Sequence, residues 1–135
     1  MPPEAAREFL RTSHHAVLAT VRSDGRPQLT PVAAGVDAEG RVIVSTPETT
    51  AKARNLRRDP RVTLCAFADD FYGGWVQVEG TAETVERPAA VELLVDYYRR
   101  LSGEHPDWDE YRAAMLAERR VLVRFAIDRA TGLIG

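Results

Sequence analysis

The residues best suited to chemistry stand together in Ser45-Thr46-Pro47-Glu48-Thr49-Thr50-Ala51-Lys52. This segment takes the chain from a strand into a helix. It offers hydroxyls, free backbone N–H groups at a helix N-terminus and an ammonium within the first turn. A phosphate is recognised by those three kinds of donor. The same residues also suit an ordinary capped helix with a solvated lysine. Lys52 stands out in composition, being the only lysine beside 17 arginines. An ammonium in a first helical turn is unfavourable to the helix dipole unless an anion reverses the penalty.

Other chemistries find less support. His14 and His15 are adjacent, so in a strand they point to opposite faces. His105 lies far away in a polar loop, and no C-x-x-C or H-E-x-x-H pattern accompanies any of the three. No metal is therefore expected. Cys65 stands mid-strand among apolar neighbours, where a thiol is an inert small hydrophobe. Ser45 lacks an adjacent base and the glycines of a nucleophile elbow. Glu104, Asp107, Asp109 and Glu110 surround a helix start and read as capping and solvation. No Walker motif or G-x-G-x-x-G is present, so the usual nucleotide folds do not apply.

Charge is more telling by region than in total. The net charge of −2 argues against a general nucleic-acid binder. Residues 52–61 nevertheless hold Lys52, Arg54, Arg57, Arg58 and Arg61 against Asp59 alone, and residues 83–118 hold nine acids against four arginines. A positive patch of that size suits a phosphate or small polyanion better than a duplex.

These residues must be positioned by short elements. Residues 3–12 read as an amphipathic helix with Ala6, Phe9 and Leu10 on one side. Strands follow over 15–22 and 28–36, joined by an Asp24-Gly25 turn, with Pro31 marking an edge or a bulge. A third strand covers 41–45, and Thr49 or Thr50 caps a helix that Pro60 ends. Residues 61–68 alternate as a fourth strand. Residues 75–85 form a long fifth with a bend or bulge at Gly80. A helix from Pro88 to Leu101 and a shorter one over 107–118 precede a final strand over 121–127. Six strands joined mostly by hairpins favour a small antiparallel barrel with helical decorations, in one domain over residues 1–135. With 135 residues, 44% of them hydrophobic, the chain can build a core without metals or disulfides. The lone cysteine, the lack of a signal-like N-terminal segment and the lack of a membrane-length apolar run lead to the expectation of a cytoplasmic protein.

Several motifs carry a resemblance. Val17-Leu18-Ala19-Thr20 followed by Asp24-Gly25-Arg26-Pro27-Gln28 resembles the opening of the pyridoxamine-phosphate-oxidase-like, FMN-binding split β-barrel family. The run Ala51-Lys52-Ala53-Arg54-Asn55-Leu56-Arg57-Arg58-Asp59-Pro60-Arg61-Val62 is similar to the helix and fourth strand of its actinobacterial deazaflavin-dependent branch. Val78-Glu79-Gly80-Thr81-Ala82 and Gly103-Glu104-His105-Pro106-Asp107-Trp108 match that branch too.

The resemblance implies a six-stranded antiparallel split barrel that forms a homodimer, with cofactor sites in grooves between subunits. It implies coenzyme F420, a 5-deazaflavin with a phosphate and a polyglutamate tail, and hydride transfer to a conjugated small-molecule substrate. Strands with Gln28, Thr30, Pro31 and Val32, and with Ser45 and Thr46, would flank the ring. Ser45, Thr46, Thr50 and Ala51 would hold the phosphate end together with Lys52 and Asn55, and Trp75 would line the groove. Some relatives have an arginine where this chain has Thr50, and bulkier residues where it has Ala33-Ala34-Gly35. The alternatives within the same fold are an FMN-binding oxidase or flavin reductase and a non-enzymatic cofactor or tetrapyrrole carrier.

Overall fold

The hairpin after the first strand is set by Gly25, whose φ of +85° favours glycine. Asp24 accepts from the Arg26 N–H at 3.0 Å and closes the turn. A computed structural model describes residues 1–134. The elements, in chain order, are α1 (Pro3–Thr12), β1 (His15–Val21), β2 (Pro27–Val36), β3 (Val42–Pro47), α2 (Ala51–Arg58), β4 (Arg61–Phe67), β5 (Gly74–Thr81), β6 (Glu83–Val85), α3 (Ala90–Ser102), α4 (Trp108–Ala117), β7 (Arg120–Phe125) and β8 (Arg129–Ile134). The strands form one antiparallel sheet in the order β6-β7-β3-β2-β1-β4-β5-β8, curled into the half-barrel of a split-barrel fold.

The sheet has eight strands where six were expected. The long strand over 75–85 divides into β5 and β6, which join opposite ends of the sheet. Gly80 itself stays in regular register with Val62, so no bulge stands there; its missing Cβ instead admits the Ala126 carbonyl oxygen, which would lie 2.3 Å from it. The division falls at Ala82, which donates to the Pro60 carbonyl at 2.8 Å and leaves the β5 ladder. The eighth strand, β8, alternates poorly in sequence and is held by its pairing with β5.

Register decides which side chains enter the core. Ala16 and Leu18 of β1 pair with Ala66 and Leu64 of β4, which pair in turn with Val76 and Val78 of β5. All face inward and are buried. Ala6 and Leu10 of α1 and Leu56 of α2 close the same core. Fully burying a residue such as Leu18, Leu64 or Phe125 contributes about 1.5–3 kcal/mol. A second cluster lies on the outer side of β3 and β7, where Ile43 and Leu122 meet Leu94 and Val95 of α3 and Tyr111 and Met115 of α4. Sandwiching β3 between these clusters makes it a rigid platform for the segment that follows it. Among the described residues no helix is long and apolar enough to cross a membrane.

Candidate functional site

The split in the barrel opens beside β3. β2 and β3 pair only through Ala34↔Val44, Gly35↔Ile43 and Val36↔Val42. Beyond that register, residues 27–33 stay with β1 while residues 45–47 stay with β7. Gln28, Thr30, Pro31 and Val32 thus form one lip of the split, and Ser45, Thr46 and the start of α2 form the other. Pro31 occupies the unpaired edge, where its missing N–H removes no ladder bond. Gln28, Thr30 and Val32 pair with Thr20, Leu18 and Ala16 and share their inward side, whereas Pro31 faces out with Val17.

The loop into α2 is held by its own hydroxyls. Thr50 is the N-cap, and its Oγ1 accepts from the Ala53 N–H at 3.3 Å. Thr46 Oγ1 lies 2.8 Å from Thr50 Oγ1, and each hydroxyl lies 3.1 Å from the Pro47 carbonyl. Thr46 is buried, so its role in this geometry is internal. Among the described residues the first-turn N–H groups of Ala51 and Lys52 have no acceptor, as expected of two of the four unsatisfied donors of a helix start.

Four of the five cations over residues 52–61 are engaged within the protein. Arg54 donates to the Thr49 carbonyl at 2.5 Å, and Arg57 to the Glu48 carbonyl at 3.1 Å. Arg58 reaches the Val21 carbonyl and the Asn55 side chain, and Arg61 forks onto Asp59. Lys52 differs. It is half-buried, and among the described residues no carboxylate pairs with it. Burial and then the neighbouring Arg120 charge push its pKa down. The Arg120 charge thus acts on Lys52, and Lys52 has no carboxylate of its own among the described residues, which leaves the start of α2 electropositive.

Arg120 reaches this place through the β3–β7 ladder, where Pro47 pairs with Arg120 and Ser45 with Leu122. Its Nη1 donates to Ser45 Oγ at 3.2 Å, and its Nε donates to Glu118 at 2.8 Å. Tyr97 of α3 lies on the same side, its hydroxyl donating to the Ala33 carbonyl at 2.7 Å and its pKa raised by burial. Neither Arg120 nor Tyr97 was singled out from sequence. Their only link to Lys52 is through strand pairing and helix packing, which leave no local motif.

The remaining expected site residues are placed differently. Asn55 is 8% exposed, and its Nδ2 donates to Thr20 Oγ1 at 3.1 Å, fastening α2 to β1. Trp75 stands on the outer face of β5, between Phe67 and Leu133 in register. Along the sheet, four strand spacings separate β5 from β3. A cavity of about 500 Å³ lies near the β1–β2 hairpin, lined by Val21, Pro27, Arg61, Glu79 and Asp128 among others, and holds none of the expected site residues. Burial raises the pKa of the Cys65 thiol, which keeps it protonated and unreactive.

Known structures repeat this architecture. A conserved hypothetical protein from Mycobacterium tuberculosis is 32% identical, over 99% of this chain and 85% of that one, with a TM-score of 0.81. An F420 reductase shares the fold with a TM-score of 0.72 at 21% identity, over 93% of this chain and 94% of that one. A heme-binding protein from Mycobacterium smegmatis does so with a TM-score of 0.74 at 20% identity, over 100% of this chain and 55% of that one. The sequence profile described as pyridoxamine 5'-phosphate oxidase matches residues 2–133, nearly the whole of this split barrel. The chain belongs to the pyridoxamine 5'-phosphate oxidase family.

Proposed function

We propose that this protein is an oxidoreductase that binds reduced coenzyme F420 and supports hydride transfer to a conjugated small-molecule acceptor. The observation that carries the reading is the half-buried Lys52 ammonium in the first turn of α2, without a carboxylate partner among the described residues and within the field of Arg120. The donor set fits a phosphate: a half-buried ammonium, a guanidinium and the free N–H groups of Ala51 and Lys52. Lys52, Arg120 and Ser45 would hold the phosphate end. Gln28, Thr30 and Val32 across the split would contact the ring system. Bound there, the deazaflavin supplies the two-electron chemistry, so the chain's part is to bind, orient and exclude water. An F420 reductase with the same fold is consistent with this reading.

The site is proposed to lie between two copies of the chain. Leu29, Trp75 and Leu133 are 60%, 41% and 68% exposed and share the outer face of β2, β1, β4, β5 and β8. Pairing this face with a second copy would bury those side chains and bring the outward Trp75 of one copy against the other.

FMN is the second reading, because its monophosphate meets the same donors. Titrating the purified protein separately with F420 and FMN tests the proposal. The expected outcome is tighter binding of F420, followed by oxidation of the reduced form in the presence of quinones or enones. Preference for FMN would move the protein to the flavin branch. Tight heme binding with no turnover of either cofactor would make it a tetrapyrrole carrier.

A further inference from the structure

Glu48 stands two residues before the Thr50 cap, and the arginines around the loop converge on it. Its side chain is only 13% exposed. Oε2 accepts from Arg87 Nη2 at 2.9 Å, with Arg57 Nη2 3.9 Å away, and Arg119 sits against Oε1. Arg87 first and then Arg119 hold the carboxyl below its usual range against the opposing effect of burial.

The backbone joins the same knot. The Glu48 N–H donates to the Arg119 carbonyl at 2.9 Å, and the Glu48 carbonyl accepts from Arg57 at 3.1 Å. Arg87 Nη1 donates to the Arg120 carbonyl at 3.0 Å. Four parts of the chain meet here: the β3–α2 loop, α2 itself, the segment before α3, and the turn from α4 into β7. That turn includes Arg119 at a φ of +55°, a left-handed conformation uncommon for a non-glycine residue.

We propose that Glu48 is the positioning residue of the anion site, holding the helix start that carries Lys52 and the strand start that carries Arg120 in one frame. The inference rests on the phosphate reading given above. Arg120 is the residue after Arg119, and Lys52 lies in the first turn of the short helix whose Arg57 contacts Glu48, so both cations ride on elements that Glu48 ties together. Glu48 is also needed as a charge. Arg87 and Arg119 would lose their common counter-charge without it, while Arg57 keeps Glu86 at 3.5 Å, and a neutral side chain would leave the first two as a rival anion site.

A double-mutant cycle separates positioning from general structural support. F420 affinity is measured by fluorescence for Glu48→Gln, Lys52→Ala and the double variant, alongside thermal melts without cofactor. Glu48→Gln is expected to weaken binding about tenfold, with the loss absent or much reduced in the Lys52→Ala background. A structural role alone would give equal losses in both backgrounds and would overturn the proposal, as would a folded Glu48→Gln protein with unchanged affinity. If Glu48→Gln does not fold, Arg119→Gln perturbs the same knot from an exposed side chain, and the same non-additive loss is required of it. No effect of Lys52→Ala would defeat the phosphate reading and this inference with it. A Lys52→Ala loss without any Glu48 or Arg119 effect would defeat this inference only.

Discussion

Arg120 Nη1 donates to Ser45 Oγ at 3.2 Å across the β3–β7 ladder, and from there its charge is felt at the Lys52 ammonium. Such a pairing of cations is unfavourable in the free protein and favourable once an anion lies between them. Lys52→Ala should therefore weaken F420 binding with little effect on the fold. A charge-assisted contact is worth about 1.5–3 kcal/mol, which corresponds to roughly a 10- to 150-fold loss of affinity. Lys52→Arg should restore only part of it, because a planar fork does not replace a compact point charge. Fluorescence titration with melts of the free protein checks both outcomes. Because burial and Arg120 lower the Lys52 pKa, wild-type affinity should also fall as pH rises through that lowered value, and Arg120→Gln should move the fall to higher pH.

Ionic strength tests the same site from outside. Arg54, Arg57, Arg58 and Arg61 are held by carbonyls and carboxylates of the protein, so they add general field rather than direct contacts. Cofactor affinity should decline with added salt, since exposed charges are screened within about 8–10 Å near physiological ionic strength. The slope should shrink in Lys52→Ala. A salt-independent Kd in the wild type would assign recognition to the ring rather than to the anionic end.

How far the sequence could be read follows from how local each signal is. Helix α1 keeps the bounds read for it, because Pro3 at the start and the burial of Ala6 and Leu10 are one-turn features. Strand β4 alternates as read, with Val62, Leu64 and Ala66 inside. The division of residues 75–85 was not legible, since it depends on Ala82 donating to Pro60 and on β6 pairing with β7, both distant in sequence. At the candidate site the Thr50 cap and the Lys52 position were legible for the same local reason. Arg120 was not, because only the pairing of Pro47 with Arg120 brings it there. The basic run over 52–61 looked like one patch, but a linear count cannot show that four of its guanidinium groups turn back onto the protein.

Asp59 gives a prediction on stability against pH. It caps the end of α2, and the Arg61 guanidinium holds its carboxyl down at about 2 from an ordinary value of 3.8. A carboxylate with a depressed folded-state pKa stabilises the fold above its unfolded pKa, and that contribution is lost as pH falls towards the folded value. Melting temperature should therefore drop between about pH 4 and pH 2, and Asp59→Asn should remove part of that drop while lowering Tm at pH 7. Equal acid sensitivity in the two proteins would show that the Asp59–Arg61 pair contributes nothing measurable, as many exposed pairs do.

The open sheet face leads to the last prediction. Leu29 lies in register with Ala19 and Thr63, one row of outward side chains away from Val17 and Cys65. Leu29 is 60% exposed on that row, and a second copy covering the face would take its side chain out of water. Light scattering at micromolar concentration should give about twice 15.0 kDa. Leu29→Glu should give the monomer, because a two-fold contact buries the new carboxylate from both copies at once. If the cofactor groove needs Trp75 from the partner, the Leu29→Glu monomer should also bind F420 more weakly, although Lys52 and Arg120 are untouched. A wild-type monomer would remove the shared groove altogether. A monomeric Leu29→Glu protein with full affinity would leave the dimer standing and place the whole cofactor site within one chain, with Trp75 outside it.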